Sequence, residues 1–164
     1  MTTATERTYR TTPATAEEIR TLVARTATVE GAYAVLMLRG DEIWENQAGW
    51  DNMTADQISY RDAQMGAEFL AEHDRTLPVH IYGTHAVVAA GSFGAVSSGC
   101  QNRETGWIRN ENFVLEAYTD CACSLSTGVV VIGEGKIAYA DCFGYQEVEL
   151  SDDGASFVFT GRDA

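Results

Sequence analysis

Apolar residues at helical spacing begin close to the N-terminus. Thr15 and Glu18 have the spacing of a capping box, in which the threonine hydroxyl accepts a hydrogen bond from the backbone amide three residues later. Behind this pair, apolar residues recur every three or four positions, at Ile19, Leu22, Val23 and Ala27. The pattern predicts a short amphipathic helix of about three turns.

The hydrophobic period changes after Gly31. The run AYAVLML at residues 32–38 is continuously apolar and contains β-branched and aromatic side chains, which predicts a buried strand. Gly40 and Asp41 are typical of a turn, so residues 43–48 are predicted to return as the hairpin partner of this strand.

A second capping box, Thr54 with Gln57, predicts a second helix that extends to about Asp74. Leu77 and Pro78 then end the helical pattern. One face of this helix is apolar and the other is charged. The apolar face consists of Ala55, Ile58, Met65 and Phe69, and the charged face of Arg61, Glu68 and Glu72.

The second half of the chain carries mainly strand and turn signals. Residues 79–90 predict a strand bent at Gly83, and residues 91–106 a loop. Glu134 and Gly135 form a tight turn between apolar runs, and residues 151–154 form another. The predicted fold class is α+β, with two amphipathic helices packed on a largely antiparallel sheet and a C-terminal half that is a β-meander. The strands are predicted at 112–123, 128–133, 136–143, 145–150 and 155–160.

Length and composition indicate one domain with an N-terminal arm. The chain has 164 residues and is 45% hydrophobic, which is enough to build a single core. Residues 1–14 are rich in Thr and Ala and lack helical periodicity, so they predict an extended or flexible arm. An arm of this kind can also order as an added strand on a neighbouring subunit. Residues 15–164 are predicted to form a single α+β domain.

Charge narrows the classes of partner. The formal net charge of −13 repels nucleic acid and anionic lipid, so we expect no direct nucleic-acid or membrane binding. Lys136 is the only lysine against ten arginines, a bias that favours a GC-rich bacterial or phage origin over adaptation to high salt. No leader-like or membrane-spanning run stands out. We therefore expect a cytoplasmic protein, or one in a particle assembled in the cytoplasm.

Four cysteines in the second half are the candidate metal ligands: Cys100, Cys121, Cys123 and Cys142. Cys121 and Cys123 lie two apart on a predicted strand, so their side chains share a face. A turn at residues 124–127 would bring Cys123 and Cys142 to the same end of the sheet, within reach of Cys100. Four thiolates suit tetrahedral zinc, although the usual paired cysteine spacing is missing. Unligated buried thiols and a disulfide or redox pair are the alternatives.

Other catalytic patterns are incomplete. Cys100 with His85 is a nucleophile pair that any protein with both residues offers. The run GSFGAV at residues 91–96 resembles the tip of the protein-kinase glycine loop. The strand lysine, the catalytic His-Arg-Asp and the asparagine of that family are absent, which excludes a kinase. Nothing selects one pair of carboxylates for acid–base work.

These observations favour a non-enzymatic protein over an enzyme. We expect an association protein with protein partners, either a subunit of a homo-oligomer or larger assembly, such as a virion or other particle, or an accessory binding protein. The threonine-rich arm, the aromatic residues of the meander and the lack of a catalytic constellation support this expectation. A small cysteine-ligated zinc domain and an acidic inhibitor that mimics nucleic acid are two alternatives, and a cysteine hydrolase or transferase is a third.

Overall fold

The computed structural model describes residues 12–39, 60–118 and 122–164, and these ranges contain three α-helices and eight strands. The helices are α1 (Ala16–Thr28), α2 (Tyr60–His73) and α3 (Phe93–Gly99). Two 3₁₀ helices, Val79–Ile81 and Trp107–Arg109, precede the third and fourth strands. The strands are β1 (Ala32–Leu38), β2 (Thr76–Pro78), β3 (Tyr82–Ala89), β4 (Val114–Ala117), β5 (Val130–Gly133), β6 (Lys136–Asp141), β7 (Gly144–Leu150) and β8 (Ser156–Asp163).

The eight strands form one curled antiparallel sheet in the order β2-β8-β7-β6-β5-β1-β3-β4. Strands β5 to β8 are neighbours both in sequence and in space. The predicted α+β class and the C-terminal β-meander are therefore confirmed. Helices α1 and α2 pack on one side of the sheet, here called the helical face. The opposite side, here called the loop face, is covered by α3 and by irregular segments.

Helix α1 forms where its cap and apolar stripe predict it. The Thr15 hydroxyl accepts a hydrogen bond from the Glu18 amide at 3.2 Å, which confirms the predicted N-cap. Ala27 is exposed, and Thr26 is buried in its place with its hydroxyl donating to a carbonyl of the same helix. The buried side consists of Ile19, Leu22 and Thr26, with Val23 partly buried.

Helix α2 packs through small residues, which corrects the predicted orientation of its apolar face. Met65 and Phe69 are 57% and 55% exposed. The predicted start at Thr54 lies outside the described residues. Small side chains let the helix sit close to its neighbours, and a Cβ on Gly128 would lie only 3.8 Å from the Cα of Gln64. The buried side consists of Ala63, Gly66, Ala67 and Ala71.

Helix α2 ends within one residue of the predicted Asp74, and the residues that follow it form a strand. The helix stops at His73, and the Arg75 amide donates to the Leu70 carbonyl while Arg75 adopts a left-handed φ of 58°. The chain then enters β2, in which Leu77 pairs with Phe157 of β8. Leu77 and its neighbouring proline, expected to lie beyond the helix as a stop signal, thus form an edge strand, where a proline is tolerated.

The predicted arm joins the sheet at its last residues. The Ala14 amide donates to the Tyr82 carbonyl at 2.6 Å, and Ala14 is buried. Thr12 crosses Gly83 so closely that a Cβ on residue 83 would lie 2.5 Å from the Thr12 carbonyl oxygen. Gly83 therefore has to be a glycine at the predicted bend. Residues 1–11 and the predicted hairpin strand at 43–48 lie outside the described residues.

The loop face holds two features that differ from the predictions. Phe93–Gly99 forms α3, capped by the Ser92 hydroxyl, where a loop was expected. Strand β4 pairs with β3 rather than with β5, so it lies at the far edge of the sheet and outside the meander. Residues 122–129 then cross back over the loop face to reach β5, with the Leu125 amide donating to the Cys100 carbonyl.

Candidate functional site

The cysteines occupy different environments. Cys100 ends α3 within the core of the loop face, and burial raises the pKa of its thiol to about 12. Cys123 and Cys142 are exposed, and Cys121 lies outside the described residues. The described ranges contain no group of three or more His, Cys, Asp and Glu side chains able to hold a metal. A zinc site that includes Cys121 therefore stays a prediction.

The premise that brought Cys123 and Cys142 together is wrong. That prediction needed a turn at residues 124–127 between two neighbouring strands, but β4 and β5 are separated by β3 and β1. The Cys123 carbonyl instead accepts a hydrogen bond from the Trp107 indole at 2.9 Å, within the segment that crosses the loop face. Cys142 lies in the turn between β6 and β7.

The pairing of Cys100 with His85 is also wrong. His85 lies opposite Leu36 in the β1–β3 register, and Leu36 belongs to the core of the helical face. Cys100 belongs to the core of the loop face. Because directly opposed residues of neighbouring strands share a face, the sheet separates the imidazole from the thiol. The geometry does not support a cysteine nucleophile with this histidine as its base.

A polar cluster instead joins β4 to α1. Arg25 donates to both Glu116 carboxylate oxygens, at 3.0 and 2.6 Å, and the Tyr118 hydroxyl donates to one of them at 2.7 Å. The hydrogen bonds from Arg25 and then Tyr118 lower the pKa of Glu116 to about 2. The same contacts raise the pKa of Arg25 and of Tyr118. The Tyr118 ring lies 4.4 Å from that of buried His85. This cluster stabilises the edge strand against the first helix.

Three large apolar side chains are exposed, two on α2 and one in the β6–β7 turn. Met65 and Phe69 are one turn apart on α2, so they lie on the same side of that helix. Phe143, at the tip of the β6–β7 turn, is 97% exposed. We call these three residues the α2–hairpin surface. Methionine and aromatic side chains such as these are enriched in protein–protein interfaces.

Hydrogen bonds place the two parts of this surface at the same end of the sheet. The Gln64 side-chain amide donates to the Ser126 hydroxyl and to the Thr127 carbonyl, both at 2.8 Å. The next residue, Gly128, donates its amide to the Ala140 carbonyl near the end of β6. The turn of α2 that carries Met65 is therefore tied to the end of β6 from which the Phe143 turn projects.

The Phe143 turn is held in one conformation by Asp141. One carboxylate oxygen of Asp141 accepts from the Phe143 amide and the other from the Gln146 side chain, both at 2.7 Å. Gln146 in turn accepts a hydrogen bond from Arg75 at 3.1 Å. This chain of hydrogen bonds holds the backbone of the turn that carries the exposed phenyl ring, so binding through the turn would order less of the chain.

Comparison of the chain with models of protein families, with curated proteins and with solved structures found no match. Of the helices in the described ranges, none combines the length and the apolar character that a membrane crossing requires.

The apolar pattern of α2 indicates the wrong side of the helix for packing on the sheet. Met65 and Phe69 were assigned to a helix face that packs on the sheet, whereas the alanines at positions 63, 67 and 71 do so. The spacing of those alanines by four was an available signal. Phe143 was not singled out as exposed, although Asp141 two residues before it is typical of a turn.

Proposed function

We propose that this protein is a non-enzymatic association protein that forms a homo-oligomer through the α2–hairpin surface. The observation that carries the proposal is the inverted packing of α2, which buries alanines and leaves Met65 and Phe69 more than half exposed. Burying a large apolar side chain contributes about 1.5–3 kcal/mol. A second copy of the chain would supply the same residues in return, as the symmetry of a two-fold dimer requires.

Net charge opposes this association and gives it a characteristic salt dependence. Two copies that each carry a charge of −13 repel each other. The exposed carboxylates Glu68 and Glu72 lie on α2 beside Met65 and Phe69. Added salt screens this repulsion and leaves the apolar contact intact. Self-association should therefore strengthen as the salt concentration rises.

Sedimentation velocity of the full chain at about 0.05 and 0.5 M NaCl tests the proposal. We expect an oligomer that is more populated at the higher concentration of salt. Phe69→Glu should weaken it at least about tenfold, because it removes apolar contact and adds like charge. Leu115→Glu is the matched control. Leu115 is 52% exposed on β4, outside the α2–hairpin surface, so this substitution makes the same change in charge elsewhere on the protein. A strict monomer, or equal effects of the two variants, would contradict the proposal.

A second candidate is favoured by the carboxylates of α2. Glu68 and Glu72 beside an apolar pair suit a basic protein partner, which is the chemistry expected of an acidic inhibitor. That complex would weaken with salt, so the sign of the salt dependence separates the two candidates. A model basic protein such as a small nuclease, added to the monomeric Phe69→Glu variant and to the parent chain, tests whether the same surface is used.

A further inference from the structure

Helix α1 contacts a turn of the sheet at each of its two ends. A cleft lies between the middle of the helix and the sheet. At its N-terminal end, a Cβ on Gly154 would lie 2.5 Å from the Cβ of Ala16. At its C-terminal end, a Cβ on Gly135 would lie 3.1 Å from the Cβ of Ala27. Both glycines have positive φ, 74° and 77°, so neither position suits another residue. Between these contacts lies a cleft of about 570 Å³, a volume typical of small-molecule sites.

The base of the cleft is apolar. Ile137 of β6 lies directly opposite Val148 of β7, and both belong to the core of the helical face. Leu150 continues the same side of β7, and Ile19 and Val23 of α1 line the helix side. Ile19, Ile137 and Val148 are already buried beneath this base, so the apolar surface open to a slender ligand comes from Val23 and Leu150, which are partly buried.

The acidic residues of β7 contribute backbone rather than charge to this cleft. Glu147 lies opposite Ala138, which belongs to the core of the loop face, so its side chain is on the other side of the sheet. There Arg162 approaches Glu147 at 3.3 Å and Glu149 at 4.0 Å. The carboxylates of this strand are thus directed away from the apolar base.

Arg20 supplies a guanidinium at one end of the cleft. Its Nη2 lies 3.6 Å from the position that a Cβ on Gly154 would take, which places the group beside the β7–β8 turn. Neither an ion pair nor a side-chain hydrogen bond engages Arg20 in the described ranges, whereas Arg25 and Arg162 each have a carboxylate partner. Ala24, one turn further along, brings no polar side chain to the lining, which also contains the cation of Lys136 and the exposed carboxylate of Asp152 in the β7–β8 turn.

We propose that this cleft binds an amphipathic carboxylate, with its alkyl chain against Val23 and Leu150 and its carboxylate on Arg20. A guanidinium pairs with a carboxylate in a bidentate, charge-assisted geometry, which sets the orientation of such a ligand. The apolar base favours the alkyl chain through hydrophobic burial. The site lies on α1, separate from the α2–hairpin surface, so it does not depend on the proposed oligomer.

Titration of the isotope-labelled full chain with sodium octanoate and with 1-octanol, followed by NMR, tests the proposal. We expect saturable octanoate binding with shifts at the amides of Ile137, Val148 and Leu150. Arg20→Gln should weaken octanoate about tenfold and leave octanol unchanged, because only the carboxylate uses the guanidinium. Ala24→Trp places a large ring at the cleft from the exposed side of α1 and should weaken both probes.

The control is Arg103→Gln, which removes an exposed arginine from a loop on the other side of the sheet and should leave both probes unaffected. Non-saturable binding, shifts that avoid the three named amides, or equal affinities of the parent chain and Arg20→Gln for octanoate would each overturn the proposal. The NMR spectrum of each variant shows directly whether it has folded, so a loss of binding through misfolding is recognised and the other variant then decides.

Discussion

The two helices of the helical face use opposite solutions to the same packing problem. Helix α1 buries branched side chains, Ile19 and Leu22, and is held by the Arg25–Glu116 ion pair. Helix α2 buries small residues and exposes Met65 and Phe69, while Leu70 is half-buried against the core. The amount of apolar surface that each helix removes from water therefore differs, although both are amphipathic by sequence.

The comparison indicates a division of roles between the helices. A helix that anchors through large buried side chains contributes mainly to the stability of its own domain. A helix that exposes its large side chains contributes less to folding and leaves more apolar surface available for association. We therefore expect substitutions in α1 to change the free energy of unfolding and substitutions on the outer side of α2 to change the oligomeric state.

The largest effect is expected from truncating the α1 anchor. Ile19 is fully buried, so Ile19→Ala should lower the free energy of unfolding by about 2–5 kcal/mol, through lost burial and the cavity left behind. Met65→Ala, the matched truncation on α2, should change it by less than about 0.5 kcal/mol. Urea denaturation of both variants, below the concentration at which the protein associates, measures the difference. Equal losses would show that the division between the helices is wrong.

A smaller effect is expected from enlarging the buried side of α2. Ala67 is fully buried, so Ala67→Leu inserts a larger side chain where helix and sheet are already in contact. Overpacking of this kind should cost about 1–3 kcal/mol. Glu72→Leu adds the same side chain at an exposed position of the same helix and should change stability by less than about 0.5 kcal/mol. If Ala67→Leu leaves the free energy of unfolding unchanged in urea denaturation, close packing does not explain why the large residues of α2 lie outside the core.

The contrast between the helices also shows what the sequence could predict. Helix α1 was predicted well because the Thr15 cap and the apolar stripe agree with each other. For α2 the pattern predicted a helix but assigned the wrong side to the sheet, because the size of Met65 and Phe69 outweighed the spacing of the alanines. Hydrophobicity alone does not state which apolar side a protein buries when one side is small and the other is large.

The sequence also predicts local turns better than it predicts the pairing of distant strands. The β5–β6 turn was predicted from Glu134 and Gly135, which adopt φ of 56° and 77° in the structure. The pairing of β4 with β3 leaves no local signal, because the partner strand lies elsewhere in the chain. The predicted approach of Cys123 to Cys142 relied on a pairing of β4 with β5, which the strand order contradicts, whereas the neighbouring turns were predicted correctly. The cap at Ser92, in contrast, was a local signal for α3 that the prediction overlooked.

The smallest effect is expected at the ion pair that distinguishes α1 from α2. The pKa of Glu116 is lowered from 4.5 to about 2, so the pair stabilises the fold above the ordinary carboxyl pKa, and this contribution is lost as the pH falls from about 4.5 towards 2. Arg25 and Glu116 are 36% and 39% exposed, so solvent screening limits the contribution to about 0.2–1 kcal/mol. Urea denaturation at pH 6 and pH 3 should show a smaller loss of stability for Glu116→Gln than for the parent chain. Glu72→Gln, which changes an exposed carboxyl on α2, should lose as much stability between pH 6 and pH 3 as the parent chain does. If Glu116→Gln also loses as much as the parent chain, the edge strand is held to α1 by packing rather than by this ion pair. The two helices would then differ only in the size of the side chains that they bury.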